Sequence, residues 1–90
     1  MELSDTLFVS NLPSIDLHGL DRDSARVMIE DYIRINLKLK NEKFVIIHGV
    51  GTGILKKTTH EVLKRNKNVL EYAICYNNTG STIVRLKFDK

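Results

Sequence analysis

The sequence predicts a two-layer α/β (α+β) sandwich, a mixed four-stranded sheet carrying two helices on one face. Three observations lead there. The apolar pattern alternates between period two and a helical period in the order βαβαββ, and two strand ends carry a His-Gly pair, at His18-Gly19 and His48-Gly49. With 90 residues, 42% hydrophobic and 28% charged, the chain holds one small core and has no room for a second. A domain of this size buries only about 60–65% of its unfolded surface, so a large ligand must bind on the outside.

Residues 1–13 are mixed, and Pro13 biases Leu12 away from helix, so this segment is expected to be an extended arm preceding a domain over 14–90. Ser14 to His18 alternates Ile15 and Leu17 with Asp16 and His18, the pattern of a short strand, which Gly19 ends. Asp21 is placed to cap a helix reaching about Lys38, with Asp23 in its first turn. Ala25, Met28, Ile29, Tyr32, Ile33 and Leu37 form its apolar stripe, and Glu30 is spaced to pair with Arg34. Asn41-Glu42 turn the chain into Phe44–Ile47, an uninterrupted apolar run expected of a central strand.

Gly49, Gly51 and Gly53 then lead into a second helix, whose apolar side is Ile54, Leu55, Thr58, Val62 and Leu63. Its opposite side carries Lys56, His60, Lys64 and Lys67 about one turn apart, with Lys57 on a neighbouring row. Val69–Tyr76 alternates as a strand, with Leu70, Tyr72, Ile74 and Tyr76 on one side. Asn77 to Gly80 read as a hairpin loop before a last strand, Thr82–Phe88. Right-handed βαβ crossovers would make the first two strands parallel, so both His-Gly pairs emerge at the carboxyl-terminal sheet edge where open α/β sheets bind ligands.

Charge and cysteine content narrow the function. Lys and Arg total 14 against 11 for Asp and Glu; the excess is concentrated in Lys56–Lys67, whereas the first third is acidic, which points to one face for polyanions. Cys75 is the only cysteine, so no internal disulfide forms, and it reads as a core-filling residue. No apolar run approaches a membrane span and no secretory leader pattern opens the chain, so a cytoplasmic monomer without membrane contact is expected.

The glycine loop is the chemically loaded stretch. Its backbone N–H groups and the following helix N-terminus suit an anion, phosphate first, with Thr52 within the same turn. Position 54 is Ile and no Gly-Lys-Ser/Thr follows, which excludes the dinucleotide fingerprint and the P-loop. One cysteine and no close His pair leave a structural zinc site without ligands. Only Asp16 is placed for a two-metal nuclease, Glu71 and Asp89 having no evident place near it, so no cofactor is assigned and a divalent metal such as Mg²⁺ stays open. Asp16 and His18, two apart on one strand, can pair so that the carboxylate orients the imidazole; alternatively Asp16 accepts loop N–H bonds. With His48 they form a candidate acid–base set for phosphodiester chemistry. His60, on the helix surface, reads as a solvated member of the basic face. Tyr32, Tyr72 and Tyr76 fit core patterns, so backbone recognition is expected rather than base reading.

Ile15-Asp16-Leu17-His18-Gly19, an amphipathic helix, His48-Gly49-Val50-Gly51-Thr52-Gly53, a basic helix and a closing strand Thr82–Lys87 together resemble the Smr (small MutS-related) domain over Ser14 to Lys87. The resemblance implies a fold similar to the C-terminal domain of translation initiation factor three, and binding of DNA or RNA. Several members are endonucleases that nick DNA or cut RNA, including on stalled ribosomes. Their Asp-Leu-His-Gly motif maps onto Asp16, Leu17, His18 and Gly19, and their His-Gly-x-Gly-x-Gly motif onto His48, Gly49, Gly51 and Gly53. One departure lies before the final Thr, where many members carry several glycines and this chain has only Gly80. The expected function is an endonuclease with Asp16, His18 and His48 in the chemistry. Gly19, the Gly49–Gly53 loop, Lys56, Lys57, His60 and Lys64 would lie on the phosphates. The alternative is a non-catalytic module that docks on branched DNA, structured RNA or ribosomes.

Overall fold

A computed structural model describes residues 12–75 and 78–88. The expected arm at residues 1–13 falls outside these except for Leu12 and Pro13, as do Tyr76, Asn77 and Asp89. The element order is β1 (Ser14–Asp16), α1 (Arg22–Lys38), β2 (Lys43–Ile47), α2 (Ile54–Arg65), β3 (Val69–Cys75) and β4 (Asn78–Leu86). The four strands form one sheet in the order β1-β2-β4-β3. Strand β2 runs parallel to β1, with Asp16 opposite Ile47, and antiparallel to β4, which also pairs antiparallel with β3.

The alternation of strand side chains separates two faces. Phe44, Ile46, Val84 and Leu86 face both helices and meet Ala25, Ile29 and Ile33 of α1 and Val62 and Leu63 of α2 in the main core. Both helices therefore lie on one face, giving the expected two layers. Phe44 is fully buried and takes the Tyr32 ring edge-on at 5.1 Å between centroids, an arrangement that stabilises beyond simple area burial. On the opposite face Val45, Ile83 and Cys75 are buried with Leu12, Ile47 and Ala73 against them. Burial pushes the Cys75 thiol pKa up, which suits its packing role.

Asp21 caps α1 as its spacing predicts, accepting the Ser24 N–H at 2.7 Å. Several local expectations are corrected. Met28, Ile54 and Leu70 are exposed rather than inward, because the main core closes on Ala25, Ile29 and Ile33 and on the buried hydroxyl residues Thr58 and Thr59. Those threonines tolerate burial by donating to the carbonyls of Ile54 and Leu55 at 2.9 and 2.7 Å. Leu70 is displaced by an irregularity between Val69 and Glu71, which puts Val69 and Tyr72, three apart, on the same core. Arg34 pairs with Asp31 instead of Glu30. The hairpin loop expected over 77–80 is shorter, since Asn78 to Gly80 already belong to β4, and Lys67 lies beyond the end of α2.

Candidate functional site

Strand β1 stops at Asp16, and Leu17, buried at the core, donates its N–H to the Ile47 carbonyl at 2.8 Å. This bond turns the chain at the end of the parallel pair, so His18 and Gly19 stand in a turn and not on the strand. The Asp16 carboxylate accepts the His18 backbone N–H at 2.8 Å. Of its two expected roles it thus takes the turn-holding one: the carboxylate fixes where His18 sits, while the exposed imidazole has no hydrogen bond among the described residues.

At the neighbouring strand end His48 is nearly fully buried. Its backbone N–H and that of Gly49 both donate to the Gly80 carbonyl, at 2.9 and 2.8 Å. Gly80, the glycine within β4, therefore anchors the loop. The His48 ring is engaged at both nitrogens, Nδ1 with the Gly49 carbonyl at 3.0 Å and Nε2 with Thr82 Oγ1 at 2.8 Å. Burial, the largest cause, holds its pKa below the ordinary imidazole value; the Gly49 bond opposes this and the Lys56 charge adds to it.

The loop reaches α2 through Gly53, which occupies the N-cap at φ 86 and provides no side-chain cap. Gly49 also adopts a left-handed φ, of 81, whereas Gly51 does not. Thr52 Oγ1 accepts the Ile54 N–H, a long bond at 3.4 Å, so the first turn of α2 is only loosely closed by its own chain.

Asp16, His18, Gly19, His48, Gly49, Val50, Gly51 and Leu55 line one open cavity of about 350 Å³. It unites the two motifs at the carboxyl-terminal sheet edge. Thr52 lines a neighbouring hollow with Asp21 and Asp23, while Gly53, Lys56, Lys57, His60 and Lys64 line a third cavity on the other side of the loop. His60 is not the solvated surface residue its position suggested. It is half-buried, its Nε2 lies 2.9 Å from Thr82 Oγ1, and its ring stands edge-on to His48 at 6.0 Å and tilted on Tyr72 at 5.1 Å. Burial first, then the charges of His48 and Lys56, depress its pKa.

Sequence reasoning missed Thr82. Alternation on β4 puts it on the helix face with Val84 and Leu86, but nothing local marks a threonine there as the partner of two histidines 34 and 22 residues away. Among the described residues, Asp16 is the only acidic side chain lining the cavity that holds both motifs. Among the described residues no group of three or more His, Cys, Asp or Glu is placed to share a metal ion, and no helix is long and apolar enough to cross a membrane.

The family model of the Smr domain matches residues 15–87. A protein of Clostridium botulinum (strain Eklund 17B / Type B) named endonuclease MutS2 is 37% identical over 76 residues, covering 81% of this chain and 10% of that protein. Its namesake in Clostridium beijerinckii is 35% identical over 85 residues, covering 90% of this chain and 11% of the relative. The chain thus spans about a tenth of these relatives. Among solved structures, the Smr domain of Thermus thermophilus MutS2 superposes with a TM-score of 0.82 at 28% identity, covering 84% of this chain and 99% of that one. YdaL, a stand-alone small MutS-related protein from Escherichia coli, has a TM-score of 0.79 at 21% identity, covering 83% and 64%, and shares the fold. Both sequence motifs and the four-stranded framework that joins them are accounted for by one conclusion: the chain belongs to the Smr domain family.

Proposed function

We propose that this domain binds the phosphate backbone of nucleic acid and acts as an endonuclease. The observation that carries the reading is the shared cavity at the carboxyl-terminal edge, where the exposed His18 ring faces the glycine loop and the start of α2. Loop N–H groups and the helix terminus supply fixed donors for the charge on a phosphate. Lys56, Lys57 and Lys64 continue the positive field along the helix for the flanking backbone. The relatives named endonuclease MutS2 support the same chemistry.

In this reading Asp16 is a positioning residue: its carboxylate holds the turn that presents His18. His18 is the acid–base group, having the ring free to meet substrate. His48 keeps the loop in shape through the Gly49 carbonyl. RNA is the favoured substrate because its 2′-hydroxyl is an internal nucleophile. The 2′-oxygen attacks phosphorus as its proton passes to His18, the P–O5′ bond breaks, and the departing 5′-oxygen takes a proton from water.

One observation favours the second reading, a binding module without catalysis. Of the two motif histidines only His18 has a free ring; His48 is occupied at both nitrogens. Incubating wild type, Asp16→Ala and His18→Ala with structured RNA and with supercoiled plasmid, with and without chelator, separates the two. Cleavage lost in His18→Ala with binding retained supports the nuclease. Absent wild-type cleavage with intact salt-sensitive binding supports the module. Replacing Lys56, Lys57 and Lys64 together should lower the slope of log affinity against log salt by about two on a single strand, where each neutralised phosphate contributes roughly 0.7. An unchanged slope removes α2 from the interface.

A further inference from the structure

Thr82 joins two histidines that come from different elements, and the bonds around it assign every proton. A carbonyl oxygen only accepts, so the contact between His48 Nδ1 and Gly49 places the proton on Nδ1. In the neutral ring Nε2 is then an acceptor and takes the single hydroxyl proton of Thr82. Thr82 Oγ1 in turn accepts from His60 Nε2–H. The chain runs from His60 through Thr82 and His48 to the loop carbonyl.

This order leaves one ring nitrogen without a partner among the described residues, His60 Nδ1, which is not a buried atom. His60 lines the cavity of about 320 Å³ beside Gly53, Lys56, Lys57, Lys64 and Tyr72. A proton added to His48 Nε2 would break its bond from Thr82 and reverse the chain. A proton added to His60 Nδ1 leaves every bond as it stands. The pair therefore accepts its extra proton on the lysine side.

We propose that the α2 cavity is a second backbone-phosphate subsite in which His60 Nδ1 contacts the phosphate, and that Thr82 couples this subsite to His48 and the glycine loop. The proposal rests on the nucleic-acid reading above. The groups around His60 are Lys56, Lys57, Glu61 and Lys64 of α2, Tyr72 of β3, Thr82 of β4 and His48 after β2. In the empty cavity burial and the nearby positive charges oppose an imidazolium. A phosphate reverses the local field and accepts a charge-assisted bond from Nδ1–H. His60 and Thr82 are thus positioning residues for the loop, and His60 is also a contact to the ligand.

The test uses the full chain with ¹⁵N-labelled histidine and a short 2′-O-methyl oligonucleotide, which lacks the internal nucleophile and stays intact. In free wild type, His48 should carry its proton on Nδ1 and His60 on Nε2. The oligonucleotide should raise the His60 pKa by about one unit or more, at least a tenfold gain in proton affinity. In Thr82→Val, the Gly49 carbonyl still holds the His48 proton on Nδ1, but His48 should cease to respond to the oligonucleotide while His60 still responds; Thr82→Ser should restore the coupling. His60→Gln, which alters no strand, keeps a donor for Thr82 and so should keep the His48 tautomer while weakening binding roughly tenfold. A bound oligonucleotide that leaves the His60 titration unchanged overturns the subsite, and a His48 response to the oligonucleotide that is the same in Thr82→Val as in wild type overturns the coupling. Absence of any binding by wild type at low salt overturns the nucleic-acid reading itself and the subsite with it.

Discussion

The three glycines of the loop look equivalent in sequence but should respond differently to alanine. Gly53 holds a left-handed φ of 86 at the N-cap of α2, and an added Cβ there would meet no atom within 4 Å. The cost of Gly53→Ala is therefore backbone strain alone, about 1–2 kcal/mol. At roughly 4–8 °C per kcal/mol for a domain of this length, the melting temperature should fall by about 4–16 °C. Gly51 also has open space around a Cβ, and its φ is not in the left-handed region. Gly51→Ala should leave the melting temperature unchanged or raise it slightly, because alanine restricts the unfolded chain by roughly 0.4–1 kcal/mol. Thermal unfolding followed by circular dichroism measures both. Equal destabilisation by the two substitutions would refute the assignment of strain to Gly53. Because nothing among the described residues would touch a Cβ at position 51, loss of oligonucleotide affinity in a fully stable Gly51→Ala protein would report close approach by the ligand backbone.

Two further outcomes follow from buried polar groups. Burial depresses the pKa of His48 and His60 below the ordinary 6.5, so beneath that pH the unfolded chain binds more protons than the folded one. Their contribution to stability is complete above about pH 7 and declines as pH falls through 6.5 toward the folded values; the urea midpoint should drop between pH 7.5 and 5.5, and less so in His60→Gln. A midpoint drop equal to that of wild type in His60→Gln would remove His60 from this dependence. Asn36, fully buried on α1, donates to the Tyr32 carbonyl at 2.9 Å and accepts from Asn41 Nδ2 at 2.9 Å. Asn36→Ala strands the Asn41 amide and should cost about 1–3 kcal/mol in denaturant unfolding; a change under about 0.5 kcal/mol would show that the pair holds nothing together.

The sequence by itself determined the element order, the Asp21 cap, the central place of Phe44–Ile47 and the meeting of two His-Gly pairs at one sheet edge. These rest on periodicity, chain connectivity and the parallel alignment of β1 and β2, all of which are local or topological. Side-chain direction at irregular points was not legible. Whether Leu70 faced in or out depended on a strand irregularity, and whether Arg34 chose Glu30 or Asp31 on a small difference between two exposed pairings. Only the tertiary structure decided which partners the site residues take. Asp16 closes on a backbone N–H because the strand ends two residues earlier than its alternation suggests, which frees His18. His48 is buried and His60 drawn inward because Thr82, on a strand inserted between β2 and β3, places one hydroxyl between both rings. A hydrogen bond across 34 residues leaves no periodic trace, since its geometry is set by how β4 enters the sheet and not by the residues beside it.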